Sequence, residues 1–220
     1  MKKNTDAINE LLKVMAKLRS PQGCPWDREQ THQSIRFMLI EEAYELLDAI
    51  EAEDDVEMAE ELGDLLLHVV FHCQLGKERG AFDFEKVTRH LVDKLIRRHP
   101  HVFATTKVKD VAEVWANWEQ IKKAEKHGTK HERPSVLDGI PKHLPALQRA
   151  EKLVKKARRG KLIPAAKKTS AQKAALAKKL FALAQTAEAH GWSAEELLRG
   201  EVAAVEKKLR KVEQAKSPKA

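Results

Sequence analysis

The stretch IEEAYELLDAIEAEDDVEMAEELGDLLL, residues 40–67, decides how this chain is read. Apolar positions recur every three or four residues on both sides of AEDD, so two consecutive helices are expected. Asp54 with Glu57 three residues later makes a possible capping box opening the second of them. Carboxylates stand at Glu41, Glu42 and Glu45 on the first helix and at Glu61 and Asp64 on the second. Like charges three or four residues apart weaken a helix, and here two successive helices carry that repulsion. A helical hairpin brings Glu42 and Glu45 toward Glu61 and Asp64. Converged carboxylates cost several kcal/mol, of order, unless a cation or a proton relieves them. Hard divalent cations take oxygen ligands, and Mg²⁺ keeps waters while bridging carboxylates to substrate phosphates. The chemistry implied is metal-assisted attack on phosphorus. The plain alternative is a solvated acidic face. A di-iron or di-manganese bundle calls for Glu-x-x-His motifs, and neither Glu45 nor Glu61 has a histidine three residues on. His68 and His72 follow on the stripe of Glu61 and Asp64, in a supporting or structural role.

Outward from this stretch the period stays helical. A helix with Ile8, Leu11, Leu12, Met15 and Leu18 inward precedes SPQGCPWDREQT, which breaks it. A second helix is expected over about 31–51, with Leu39, Ile40, Ala43, Leu46, Leu47 and Ile50 on one face. The third, burying Leu62, Leu65, Leu66, Val69 and Val70, ends near Gly76 to Gly80. Asp83 caps a fourth with Val87, Leu91 and Leu95 inward, stopped by Pro100. Asp110 and Glu113 open a fifth carrying Val114, Trp115, Trp118 and Ile121. Residues 127–145 look like a linker, and three helical patterns follow near 145–159, 170–190 and 193–214. The fold class is all-α.

Phosphate chemistry also needs positive charge. Lys94, Arg97 and Arg98 lie at helical spacing, and Lys122 lies one turn beyond Trp118. Guanidinium forks suit phosphate oxygens and an indole offers a face to a base. A solvated basic stripe and a core tryptophan are the plain alternatives. No Gly-x-x-x-x-Gly-Lys-Ser/Thr loop is present, which excludes a P-loop design.

Composition sets the frame. The 220 residues are 42% hydrophobic and 34% charged, as in a globular protein. No apolar run approaches the roughly 20 residues that span a bilayer, and the amphipathic start is no signal peptide. Two cysteines, Cys24 and Cys73, make no disulfide framework, so a reducing, cytoplasmic setting is expected. Charge is uneven: from Ser135 on there are 20 Lys and Arg against 8 Asp and Glu, and before it 21 against 25. The tail also echoes the acidic helix. AALAKKLFALAQTAE (174–188) overlays EELGDLLLHVVFHCQ (60–74), with Ala175 at the place of Glu61 and Lys178 at the place of Asp64.

Taken together, Glu41-Glu42-x-x-Glu45 followed by Glu61-x-x-Asp64, with GCPWDREQTHQSI, EELGDLLLHVVFH, RRHPHVF, WEQIKKAEK and SVLDGIPKHLPALQRAEKL around them, resembles the MazG family of nucleoside triphosphate pyrophosphohydrolases. The likeness is strong to about residue 155 and weak beyond it. It implies an all-α, MazG-like helical bundle, usually dimeric, that cleaves a (d)NTP between its α- and β-phosphates to a nucleoside monophosphate and pyrophosphate. It implies Mg²⁺, with Mn²⁺ as a substitute, held by Glu42, Glu45, Glu61 and Asp64. Glu41 orients or deprotonates the attacking water. Lys94, Arg97, Arg98 and Lys122 contact phosphates, with Trp118 near the nucleotide. The implied organisation is a catalytic domain over 1–130, a linker over 131–145 and a basic, degenerate copy over 146–220 without the metal-binding acids. The implied role is clearing aberrant or excess nucleotides. The rival is a non-catalytic helical module that binds nucleic acid or protein through the basic tail. Nucleic acid is disfavoured because Phe181 and Trp192 are that tail's only aromatics.

Overall fold

In the computed structural model, which describes residues 4–165 and 172–216, the described residues form ten helices and no strand. In order they are α1 (Asn4–Leu18), α2 (Pro25–Glu29), α3 (Met38–Glu51), α4 (Asp55–Glu78), α5 (Phe84–Arg98), α6 (Pro100–Phe103), α7 (Val111–Ala124), α8 (Ala146–Arg159), α9 (Lys173–Ala189) and α10 (Ala194–Lys216). Residues 170 and 171, expected to open α9, lie outside the described residues. The chain divides into two compact units, Met1–Val114 and Trp115–Ala220.

Local chemistry sets the helix ends. Asp54 accepts from the amides of Val56 (3.0 Å) and Glu57 (3.2 Å) and starts α4. Asp83 does the same for α5 through Lys86 (2.8 Å). Asp110 accepts from the amide of Glu113 (2.8 Å), and the Glu113 carboxylate accepts from Lys109 (2.8 Å), closing a capping box one residue wider than usual. The structure corrects the second helix, which begins at Met38 rather than near Thr31. Residues 31–37 are held instead in a tight turn. Thr31 donates its amide to the Ser34 hydroxyl (2.8 Å), and Ser34 donates back to the Thr31 hydroxyl (3.2 Å). Side chains that bond their own backbone compete with helix. The segment read as a break also holds a short helix, α2, with Pro25 at its first position.

In the first unit α3 and α4 pack as a hairpin and α1 lies on α4. Met15, Ile35, Val70, Phe71 and Leu75 form the core, with Leu11, Leu12 and Phe84 against it. Arg19 grips Glu78 through two bonds of 2.8 Å and lies 5.3 Å over the Phe71 ring. Gly76 lets the chain return close by, because a Cβ there would sit 2.6 Å from the Phe82 ring. Cys73 is buried, and burial pushes its thiol pKa up, as befits an inert core thiol. Cys24 and Cys73 are both free. Several apolar positions expected to face inward are exposed: Ile40, Leu47 and Ile50 on α3, Leu62, Leu66 and Val69 on α4, and Val87, Leu91 and Leu95 on α5.

The second unit is built on α8 against α10. Leu137, Leu153, Ala157, Val202 and Leu209 form its core. Glu206 of α10 pairs with Arg149 (2.5 Å) and Arg210 (2.8 Å), and Arg210 reaches Asp138 (2.9 Å). Glu195 accepts from the Ala146 amide (2.9 Å) and so caps α8 from another helix. On α9, Leu176, Leu180, Phe181 and Leu183 are exposed. These positions overlay Leu62, Leu66, Leu67 and Val69 of α4, which are also exposed.

Candidate active site and metal centre

The acidic residues meet across the α3–α4 hairpin. Glu42 and Glu45 lie one turn apart on α3, and Glu61 faces them from α4. One carboxylate oxygen from each lies within 4.8 Å of the others. Glu61 is buried at 7% exposure, and its Oε2 has no hydrogen-bond partner among the described residues. A buried carboxylate oxygen without a donor is costly.

Their protonation behaviour follows. A hydrogen bond with Glu42 raises the Glu45 pKa, aided by burial and by the charges of Glu42, Glu41 and Asp64. Burial raises that of Glu61, aided by Glu45, Glu42, Glu57 and Asp64. A proton shared between Glu42 and Glu45 does in part what a cation would do in full. Glu41, Glu42 and Asp64 thus act on Glu45, and Glu42, Glu45 and Asp64 act on Glu61. Three hard oxygen donors that converge, one of them buried and unpartnered, fit a divalent cation such as Mg²⁺.

The same stripe of α4 holds the hairpin in register. His68 is buried, and its Nε2 lies 3.6 Å from Glu42 Oε1. One turn on, His72 Nδ1 lies 2.7 Å from His32 Nδ1, from the turn preceding α3. Their ring centroids are 5.0 Å apart and their planes 6° apart. The centroid separation exceeds the nitrogen gap by about two ring radii, so the rings meet edge to edge in one plane. That is an N–H···N hydrogen bond, one ring donating and the other accepting. His32 was not singled out in the sequence, and Glu57 only as a capping residue, not as a charge acting on Glu61. Their roles depend on contacts across elements, and no local motif announces them.

The basic candidates are spread. Lys94, Arg97 and Arg98 occupy the end of α5, Lys94 and Arg98 half-buried and Arg97 exposed. Cations there are favoured by the helix dipole. Trp118 and Lys122 belong to the second unit. The Lys122 ammonium sits 5.6 Å from the Trp118 ring centroid, and Trp115 meets Trp118 edge-on at 5.3 Å.

Residues 30–103, which run from the His32 turn through α6, match the MazG nucleotide pyrophosphohydrolase domain. Over these residues the chain carries a domain of the MazG family. The matched MazG domain contains all five acids, with Lys94, Arg97 and Arg98, and leaves Trp118 and Lys122 beyond its end. The chain is 52% identical over 142 residues to the uncharacterized protein YabN of Bacillus subtilis, covering 64% of this chain and 28% of that protein. It is 49% identical over 150 residues to the nucleoside triphosphate pyrophosphohydrolase of Escherichia coli K12, covering 68% and 56%. It is 48% identical over 153 residues to the nucleoside triphosphate pyrophosphohydrolase/pyrophosphatase MazG of Thermotoga maritima, covering 70% and 57%. The chain thus spans about half the length of these last two relatives. No described helix is long and apolar enough to cross a membrane.

Proposed function

We propose that this chain hydrolyses nucleoside triphosphates between the α- and β-phosphates, in a Mg²⁺-dependent reaction that yields a (d)NMP and pyrophosphate. The observation that carries this reading is the convergence of Glu42, Glu45 and Glu61 within 4.8 Å across two helices. Relatives named for this activity support it. Glu42, Glu45, Glu61 and Asp64 would hold the cation, with Mn²⁺ as a substitute for Mg²⁺. When bound, the cation supplies charge neutralisation and Lewis acidity at the phosphate oxygens. Glu41, exposed and next to Glu42, orients or deprotonates the attacking water. The new P–O bond forms at the α-phosphorus as the bond to the bridging oxygen breaks, and pyrophosphate leaves with that electron pair. Lys94, Arg97, Arg98 and Lys122 offset the charge on the phosphates, and Trp118 offers its ring to the nucleotide.

The functional form in this reading is a homodimer in the cytoplasm, and its role is removal of aberrant or excess nucleotides. The catalytic region extends to about residue 130, residues 131–145 connect, and residues 146–220 descend from a second copy that lost its acids. A panel of canonical and damaged (d)NTPs with Mg²⁺, scored for pyrophosphate against orthophosphate, tests the reaction. Release of pyrophosphate is expected. Orthophosphate as the product would move the cleaved bond and sink this reading.

A further inference from the structure

The second unit gathers Lys122 with further basic side chains, Lys156, Arg159 and Arg133, that the reading above does not use. Glu119 on α7 pairs with Lys122 one turn on (Oε1 to Nζ, 3.1 Å) and with Arg159 at the end of α8 (Oε2 to Nη1, 3.4 Å). Lys156, one turn before Arg159, is half-buried and donates to the carbonyls of Val136 (3.2 Å) and Asp138 (2.9 Å). Arg133 lies over Gly139, whose φ of +82° suits glycine, and a Cβ there would come within 2.2 Å of the guanidinium. Three cations, Lys122, Arg159 and Lys156, act on the one Glu119 carboxylate, and a fourth, Arg133, acts on Lys156.

The charges act on one another. Burial lowers the Lys156 pKa, and the charges of Arg133, Lys122 and Arg159 lower it further, with Glu119 opposing. Burial works to raise the Glu119 carboxyl, but Lys122, Arg159 and Lys156 outweigh it and hold it low. Three positive charges are left over. Guanidinium forks and ammonium groups gathered in this way suit an anion with several charged oxygens. The Trp118 ring under Lys122 adds an aromatic face beside them.

We propose that Lys122, Lys156 and Arg159, backed by Arg133, form an oligophosphate-binding site in the second unit, and that Glu119 is its internal competitor. Without ligand the Glu119 carboxylate engages the cations that a phosphate takes when bound. For Lys122 and Trp118 this rests on the reading given above. For Lys156, Arg159, Arg133 and Glu119 it adds residues outside the MazG-domain match.

The test is calorimetric titration of the full chain with inorganic tripolyphosphate in metal-free buffer. Arg159→Gln is expected to weaken binding about tenfold, and Glu119→Gln to tighten it at least threefold, because a competing anion has gone. Arg158→Gln carries the same loss of charge beside the cluster and should stay within twofold. Lys156 also bonds backbone carbonyls, so Arg159→Gln and Glu119→Gln decide the matter if Lys156→Gln folds poorly. Weaker or unchanged binding in Glu119→Gln, or equal losses in Arg158→Gln and Arg159→Gln, would overturn the proposal. ATP, titrated in parallel, distinguishes the source of the phosphates. Tighter binding than tripolyphosphate, with the gain lost in Trp118→Leu, supports a nucleotide tail, and equal affinity supports a free inorganic chain. Because no turnover is measured, failure of this site and failure of the proposed hydrolysis are separate results.

Discussion

Glu61 is where a single side chain carries most consequence. It is buried, one of its oxygens lacks a donor, and its charge is opposed by at least four neighbouring carboxylates. Adding Mg²⁺ to the metal-free protein is therefore expected to raise its melting temperature. Glu61→Gln should melt no lower than the wild type without metal and should lose most of that rise. Scanning calorimetry with and without Mg²⁺ checks both. An undiminished rise in the variant would remove Glu61 from the centre. Glu42→Gln and Asp64→Asn are each expected to abolish pyrophosphate release while leaving far-ultraviolet circular dichroism unchanged. Wild-type turnover in both would end the site assignment. The convergence of Glu42, Glu45 and Glu61 was legible from spacing, because charge repulsion on one helix face is a local property. The part played by His32 was not, since its partner lies forty residues on.

At the level of the element, caps were the most legible feature and helix starts without caps the least. Asp54, Asp83 and Asp110 act where the sequence put them, each through a side chain and an amide two or three residues away. Phe37 before α3 makes no side-chain cap, and apolar period alone ran the expected helix through the Thr31–Ser34 turn. Asp54→Ala should cost about 1 kcal/mol and lower the melting temperature by about 2–4 °C, read in a thermal melt. The His32–His72 bond gives a dependence on pH. Burial lowers both pKa values, with Arg79 adding to the effect at His32, and with His32 and His68 adding to it at His72. The folded state keeps these rings neutral, whereas the unfolded chain protonates near the ordinary value of about 6.5. Stability is then present above that value and is lost as pH falls from it through the lowered pKa of the folded state. Urea midpoints at pH 7.5 and 5.5 should differ more for the wild type than for a His32→Gln, His72→Gln double variant. Equal differences would show that the pair does not sense pH.

For the molecule as a whole, the all-α class followed from period and from the scarcity of β-branched clusters, and the packing direction did not. Ile40, Leu47, Leu62, Leu66, Leu91 and Leu95 were expected inside and are exposed in the single chain. Periodicity tells which residues share a face but not whether that face meets the same chain or another. Apolar area of this extent on α3, α4 and α5 marks an interaction surface, which the homodimer proposed above would cover. Sedimentation equilibrium should give twice the chain mass. Leu47→Glu combined with Leu91→Glu should reduce it to the chain mass. A wild type that sediments as a single chain would assign the face to another occupant.

The uninterrupted run of α4 has one more consequence. Glu61, Asp64, His68 and His72 fall at intervals of three, four and four residues, within one quadrant of the helix surface. The helix therefore serves as a phase reference between the acids at one end and the histidine fastenings at the other. Inserting one alanine between Asp64 and His68 would turn the two ends apart by about 100°, without removing a single functional side chain. A whole-turn insertion of four residues would bring them nearly back into phase, at the cost of added length. Comparing the two insertions asks whether the site depends on which residues it has or on the angle at which one helix presents them.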